Sequence, residues 1–323
     1  KPSYSKNCFL PLDFLIKICS SIDISKERLQ NNIIAYKSWG SVNYIDKPKL
    51  PIHINPVFDM LYAHHIGDGT VSIAINRKPY FAYRQFNEFY RIGFEKKIEF
   101  IFGKIIRKKE TFKDFTRIRC PSVLSSLFFK YYDLNDRSFL SETARIHNKI
   151  YENKERMLTV LIAFIIDEGY IDSTQISIVL KNKSLIEDLK IMCVKLGYDS
   201  KIYYKKGDYS LYCGLGILKK GMGKLYSDYL ELNKKYPLID LGIKGERIKK
   251  SFEISNRKII RKRGNQELIF NILKNEQLSV NQLADRLSMT RQGIRYHIHK
   301  LLKDSKIQLT DNTQLNWRYS IKC

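Results

Sequence analysis

Asp68 and Glu168 end two strings with matching surroundings. The first is MLYAHHIGDGTV, Met60–Val71; the second is LIAFIIDEGYI, Leu161–Ile171. Aligned on Gly69 and Gly169, Leu61 matches Leu161, Ala63 matches Ala163, Ile66 matches Ile166 and Asp68 matches Glu168. Each string reads as an apolar helix that ends in an acid and a glycine. An acid there faces the negative end of the helix dipole, which is unfavourable. Two such helices packed together would add the repulsion between their acids. Crowded carboxylates are tolerated when a divalent cation neutralises them, so the pattern offers cation coordination. One copy alone would read as an amphipathic helix with a surface acid; the second copy makes a matched pair the better reading.

The acids need elements to bring them together. Gly69 and Gly169 suit the position just past a helix, where a left-handed backbone is cheap only for glycine. Ala63 and Ala163 face the same way on their helices and would let the two backbones approach. Gly67, one turn after Ala63, helps on the first helix. β-type runs follow: TVSIAI (Thr70–Ile75) after the first glycine, and YIDS then QISIVL (Gln175–Leu180) after the second.

On these residues the chain resembles the LAGLIDADG homing endonucleases, in the single-chain form with two motifs. LYAHHIGDG and LIAFIIDEG occupy the places of the two motifs, and the likeness runs over roughly Pro51–Lys258. The resemblance implies an α+β fold of two pseudo-symmetric αββαββα repeats forming a DNA-binding saddle. It implies metal-binding catalytic acids at Asp68 and Glu168, holding Mg²⁺ or another divalent cation such as Mn²⁺ or Ca²⁺. The implied reaction is metal-dependent hydrolysis of both strands of double-stranded DNA across the minor groove. The chain departs from the pattern at Asp167, where a small residue is usual, so helix packing there is expected to differ. His64 and His65 are unusual in a packed helix pair. They read as partly exposed or hydrogen-bonded core residues rather than metal ligands, because the family's ligands are carboxylates.

Each motif is followed by the parts a repeat needs. After the first, YFAYRQF (Tyr80–Phe86) alternates like a half-buried strand, Asn87–Ile105 reads as an amphipathic helix, Phe112–Pro121 as a strand and Ser122–Tyr132 as a helix. After the second, Lys183–Gly197 reads as a helix capped by Gly197, and Ser200–Gly214 as a hairpin turning at Lys206-Gly207-Asp208. Basic residues near the family's active centre polarise the phosphate or the attacking water. Arg119 and Lys205 are the candidates by approximate position, and a solvated strand charge accounts for each equally well. Arg77, Lys78, Arg84, Lys181, Lys201 and Lys206 are candidate DNA contacts, with the strand register left open.

Composition agrees with a polyanionic partner. Lys+Arg 57 against Asp+Glu 33 gives a net charge of +24 in 323 residues, which favours nucleic acid or an acidic membrane surface. No apolar run of about eighteen residues is present, so no membrane helix is expected. The chain starts at Lys1, and no signal peptide is read in it. Cys8, Cys19, Cys120, Cys193, Cys213 and Cys323 form no C-x-x-C pair and have no histidine at zinc spacing. Free thiols in a reducing cytosol are expected, in a nucleoid-associated monomer of archaeal type.

Past a basic run, NRKIIRKRGN (Asn256–Asn265), which reads as a phosphate-touching linker, the character changes. Asn265–Asn275 reads as a helix. Ser279 and Gln282 form a capping box for a second helix, with Leu283, Ala284 and Leu287 on its apolar face. Thr290 caps a third, whose apolar face is Ile294, Ile298, Leu301 and Leu302. Its other face shows Arg291, Gln292, Arg295, Tyr296 and His299, residues that can read bases. KIQLTDNTQLNWRYSIK supplies two strands. The whole resembles a winged helix-turn-helix. The expected partition is 1–55 lead-in of short helices and extended chain, 56–150 first repeat, 151–255 second repeat, 256–265 linker and 266–323 winged domain.

Two other functions fit the architecture. A domesticated, non-cleaving transcriptional regulator would keep the fold but lose the acids, and both are present. An RNA maturase is the other, against which the winged domain argues. An intein is not expected, since the chain ends YSIKC without the His-Asn pair of splicing chemistry.

Overall fold

The structure is a computed structural model that describes residues 9–37, 43–72, 80–106, 116–134, 136–139, 142–206, 211–256, 264–313 and 316–321. It divides into two compact units, Lys1–Lys249 and Lys250–Cys323. Among the described residues no helix is long and apolar enough to cross a membrane.

The first unit opens with helices α1 (Leu12–Ser21) and α2 (Lys26–Asn32) and strands β1 (Ala35–Tyr36) and β2 (Tyr44–Asp46). Then come α3 (Pro56–Ile66), β3 (Gly69–Ser72), β4 (Tyr80–Arg84), α4 (Glu88–Phe102), β5 (Lys104–Ile106), β6 (Arg117–Arg119) and α5 (Ser122–Tyr131). A second run follows in the same order: α6 (Lys154–Glu168), β7 (Gly169–Ile171), β8 (Gln175–Leu180), α7 (Lys183–Leu196), β9 (Ser200–Lys206), β10 (Leu211–Leu218) and α8 (Lys219–Lys235), with α9 (Gly242–Asn256) after it. Asparagine starts four of these helices. Asn55, Asn87, Asn153 and Asn182 each accept a bond from a free first-turn amide of α3, α4, α6 and α7. Pro56 adds a preset φ at the start of α3. Gly197 closes α7 in the left-handed region, φ 74° and ψ 30°.

The two runs differ in their sheets. In the second, all four strands join antiparallel in the order β7-β8-β10-β9. In the first, β3-β4-β6 form one sheet, while β5 pairs with β2 in the order β1-β2-β5. Gly103 makes that departure possible. Its φ is 107°, and a Cβ there would lie 2.6 Å from the Lys47 carbonyl oxygen, so only glycine lets the chain leave α4 against β2.

α3 and α6 pack on each other, and Ala63 and Ala163 are both fully buried. Every residue of Pro56–His65 and of Met157–Ile166 is buried. Around α3 the core is aromatic: Phe58, Tyr62, Phe81, Phe94, Phe128 and Tyr132 are all enclosed. Phe81, Ala82 and Tyr83 are buried in succession, so β4 is covered on both faces rather than half-buried. Arg156 of α6 pairs with the enclosed Asp59 of α3 at 2.7 Å, and the Tyr132 hydroxyl donates to the same carboxylate.

The second unit runs α10 (Asn265–Asn275), β11 (Leu278–Ser279), α11 (Val280–Leu287), α12 (Arg291–Lys303), β12 (Ile307–Thr313) and β13 (Asn316–Ile321), with strand order β11-β13-β12. The Ser279–Gln282 capping box makes both of its bonds, and the Thr290 hydroxyl accepts from the Gly293 amide. Ile269, Leu273, Leu283, Ala284, Ile294, Ile298, Leu301, Ile307 and Tyr319 form its core.

Candidate active site

The site lies where α3 and α6 end. The expected left-handed glycines are not found there: Gly169 has φ −76° and ψ 132°, and Gly69 is not among the residues with positive φ. Close approach explains both residues instead. A Cβ on Gly69 would strike the backbone of His65, and one on Gly169 the backbone of Ile165. Each chain therefore folds straight from its helix into a strand, tight against the last turn. Gly67 has a further use: a Cβ there would lie 2.7 Å from Asp167 Oδ2, so its absence makes room for the extra carboxylate of the second motif.

Asp167 is the hub. Its side chain is fully enclosed. It contacts His64 Nδ1 of α3 at 2.9 Å and accepts a 2.8 Å bond from the Tyr83 hydroxyl of β4. Asp68 Oδ2 accepts from Gln85 Nε2 at 3.0 Å, and the Asp68 carbonyl accepts from the Arg84 amide. Burial, and then the charges of Asp167 and Glu168, push the Asp68 carboxyl up to about 8. Burial likewise pushes Asp167 up to about 8, against the pull of Tyr83, Lys244 and Lys97. Glu168 is raised by burial and by Asp167. Thus the Glu168 charge reaches Asp68, and the Asp167 charge acts on both.

Two lysines answer the three acids. Lys244, near the start of α9, donates through Nζ to the carbonyls of Ile165 and Ile166 at 2.8 and 2.5 Å, on the last turn of α6. Lys97 of α4 is buried, and its charge acts on Asp167. His64 and His65 are both enclosed. Burial holds His64 well below its usual range and His65 at about 3, so both are neutral. His65 Nδ1 bonds the Leu61 carbonyl, and His64 Nδ1 is engaged by Asp167.

The donor set suits a hard divalent cation that keeps waters and shares oxygens with a phosphate, since such ions are held by one or two carboxylates plus substrate. Among the described residues there is no group of three or more His, Cys, Asp or Glu that could hold a metal unaided.

The basic candidates fall in several places. In the first sheet Arg119 is opposite Ala82 and Arg84 opposite Arg117, which puts Arg84, Arg117 and Arg119 on the face opposite Tyr83. Arg84 is exposed, 5.4 Å over the Phe86 ring. In the second sheet Lys201 is opposite Gly216 and Lys205 opposite Tyr212, while Lys206 is opposite Leu211. Leu215 and Ile217 point into the core, so Lys201 lies on the open face with Tyr203 and Ser177. Lys181 is exposed past β8, 6.0 Å over the Tyr212 ring. Arg77 and Lys78 lie outside the described residues, as does the turn expected at 206–208 beyond Lys206. In the second unit Arg291, Gln292, Arg295, Tyr296 and His299 are all exposed on α12. Gln85, Tyr83, Lys97, Arg117 and Lys244 escaped the sequence reading. Gln85 and Tyr83 had a usable signal, being in the strand after the first motif; Lys244, far along the chain, had none.

Neither a protein-family model nor a curated protein sequence matches this chain. Solved structures share low likeness. Mesophilic variants of the homing endonuclease I-DmoI are 15% identical over 53% of this chain and 94% of theirs, with a TM-score of 0.39. I-DmoI in complex with DNA and Mn is 16% identical over 50% and 89%, at 0.36. Full-length DUF199/WhiA from Thermatoga maritima is 11% identical over 79% and 93%, at 0.38. At these identities and scores none of them fixes an activity for this chain.

Proposed function

We propose that this chain is a sequence-specific, divalent-metal-dependent endonuclease of double-stranded DNA, of the LAGLIDADG homing kind, with a C-terminal winged helix-turn-helix. The observation that carries the reading is the packing of α3 on α6, which puts Asp68 and Glu168 in one electrostatic field at the ends of two adjacent helices. Half-buried acids that repel each other and sit at helix C-termini are costly, and a shared cation and bound phosphates would offset that cost. A divalent ion bound there would supply an activated water and charge neutralisation at the phosphodiester.

The chain's own residues have separate tasks. Gln85 orients the Asp68 carboxylate. His64 and Tyr83 hold Asp167 away from solvent, which leaves Asp68 and Glu168 as the accessible acids. Arg84, Arg117 and Arg119 offer one basic row for phosphates, and Lys201 with Tyr203 offers another on the second sheet. In the second unit α12 presents Arg291, Gln292, Arg295, Tyr296 and His299 as base-reading residues. The excess of positive charge supplies non-specific attraction that weakens with salt.

The test is to incubate the protein with Mg²⁺ and a randomised duplex library and to sequence the ends produced. Recurrent ends within one long motif are expected, and Asp68→Asn and Glu168→Gln should lose them while still binding DNA. Variants that cut like the parent would sink the assignment. Selective binding without any cut ends would favour the regulator reading.

A further inference from the structure

Lys244 lies in the acid centre, yet its hydrogen bonds go elsewhere. Its ammonium is tied to two carbonyls on the last turn of α6, at 2.8 and 2.5 Å. Ile166 is among the last four residues of the helix, whose carbonyls lack an intrahelical partner, while the Ile165 carbonyl also accepts from the Gly169 amide. The backbone of Lys244 is pinned as well. Its amide donates to the Tyr90 hydroxyl at 3.1 Å, and that hydroxyl donates to the Leu241 carbonyl at 3.0 Å. Asp240 accepts from the Gly242 amide at 2.8 Å and fixes the start of α9. The charge is therefore held in place, half-buried, and it favours the ionised form of Asp68, Asp167 and Glu168 alike.

The charge balance follows from the groups present. Among the buried and half-buried groups three carboxylates face Lys244 and Lys97, and burial pulls Lys97 down to about 8, so it is only a partial counter-charge near that pH. Removing the Lys244 charge makes the centre more negative by one. A dication is held weakly by the first arrangement and more firmly by the second. Backbone phosphates of bound DNA would each add a further negative charge.

We propose that Lys244 is the resident counter-cation of the acid centre, and that it keeps affinity for divalent ions low until DNA phosphates arrive. This rests on the metal-sharing reading of Asp68 and Glu168. The consequence is ordered loading, with DNA first and metal second.

The experiment is calorimetric titration of Ca²⁺ into the DNA-free full chain, with parent and variants compared at one fixed, mildly alkaline pH. Lys244→Gln keeps a donor for the two carbonyls and removes the charge; Lys244→Arg keeps the charge. Lys244→Gln should bind Ca²⁺ about tenfold tighter than the parent, and Lys244→Arg should bind like the parent. Adding Glu168→Gln to Lys244→Gln should cancel the gain. Unchanged or weaker binding in Lys244→Gln, or equal tightening in Lys244→Arg, overturns the proposal, as does a gain that survives Glu168→Gln. The underlying reading fails separately if Ca²⁺ binding by the parent in the presence of duplex DNA is unaffected by Asp68→Asn and Glu168→Gln.

Discussion

Asp167→Asn is the most informative single change, because it removes one buried charge and little else. The amide oxygen can still accept from Tyr83, and the amide nitrogen can donate to His64 Nδ1. In the parent protein the Asp167 carboxyl sits at about 8, against 3.8 ordinarily, through burial. A carboxyl raised on folding binds its proton more tightly in the native state. Its contribution to stability is thus present at acid pH and is lost as pH climbs through 3.8 towards 8. The slope in that window is ~1.4 kcal/mol per pH unit, so about 4 kcal/mol is lost between pH ~5 and ~8 as an upper bound. Sharing of the proton with Asp68 spreads the loss over the cluster, and about 1–4 kcal/mol is the working range. Urea unfolding of the metal-free protein and of Asp167→Asn, in chelator at both pH values, measures the difference directly. Near pH 5 the two should be similar; near pH 8 the variant should be the more stable. Parallel pH profiles, or a variant that loses more stability at high pH, would refute the reasoning.

Other expectations concern the rest of the molecule. Arg156→Met leaves Asp59 fully buried and without its partner, and should cost about 3–5 kcal/mol in the urea midpoint at unchanged slope; a loss under ~1 kcal/mol would show that the pair is not a tie between α3 and α6. Arg291→Ala and Arg295→Ala, on the exposed face of α12, should each weaken DNA binding and reduce the salt slope by about one if they meet phosphate. An unchanged slope with altered sequence preference would assign them to bases instead.

Much of this architecture was legible in the residues, for identifiable reasons. The repeated acid–glycine strings marked α3 and α6, since ten consecutive buried positions in each leave little freedom in composition. Local chemistry also marked the Ser279–Gln282 box and the Gly197 cap. What was hidden depends on tertiary contact. Asp167 looked like a packing fault, but it is matched by His64 and Tyr83, which lie 103 and 84 residues away in sequence. Gly69 and Gly169 were expected for backbone handedness and are needed for space. The exit of β5 from the first sheet depends on the Gly103 backbone meeting β2, and Lys244 reaches the end of α6 from α9. Neither leaves a periodic trace.

The central claim is that Asp68 and Glu168 share one divalent cation over bound DNA. Anomalous scattering from Mn²⁺ in crystals of the full chain with its duplex tests it most directly. A peak between the carboxylates of residues 68 and 168, absent from crystals of Glu168→Gln, is the predicted result. Manganese bound elsewhere, with both carboxylates free of it, would contradict the account.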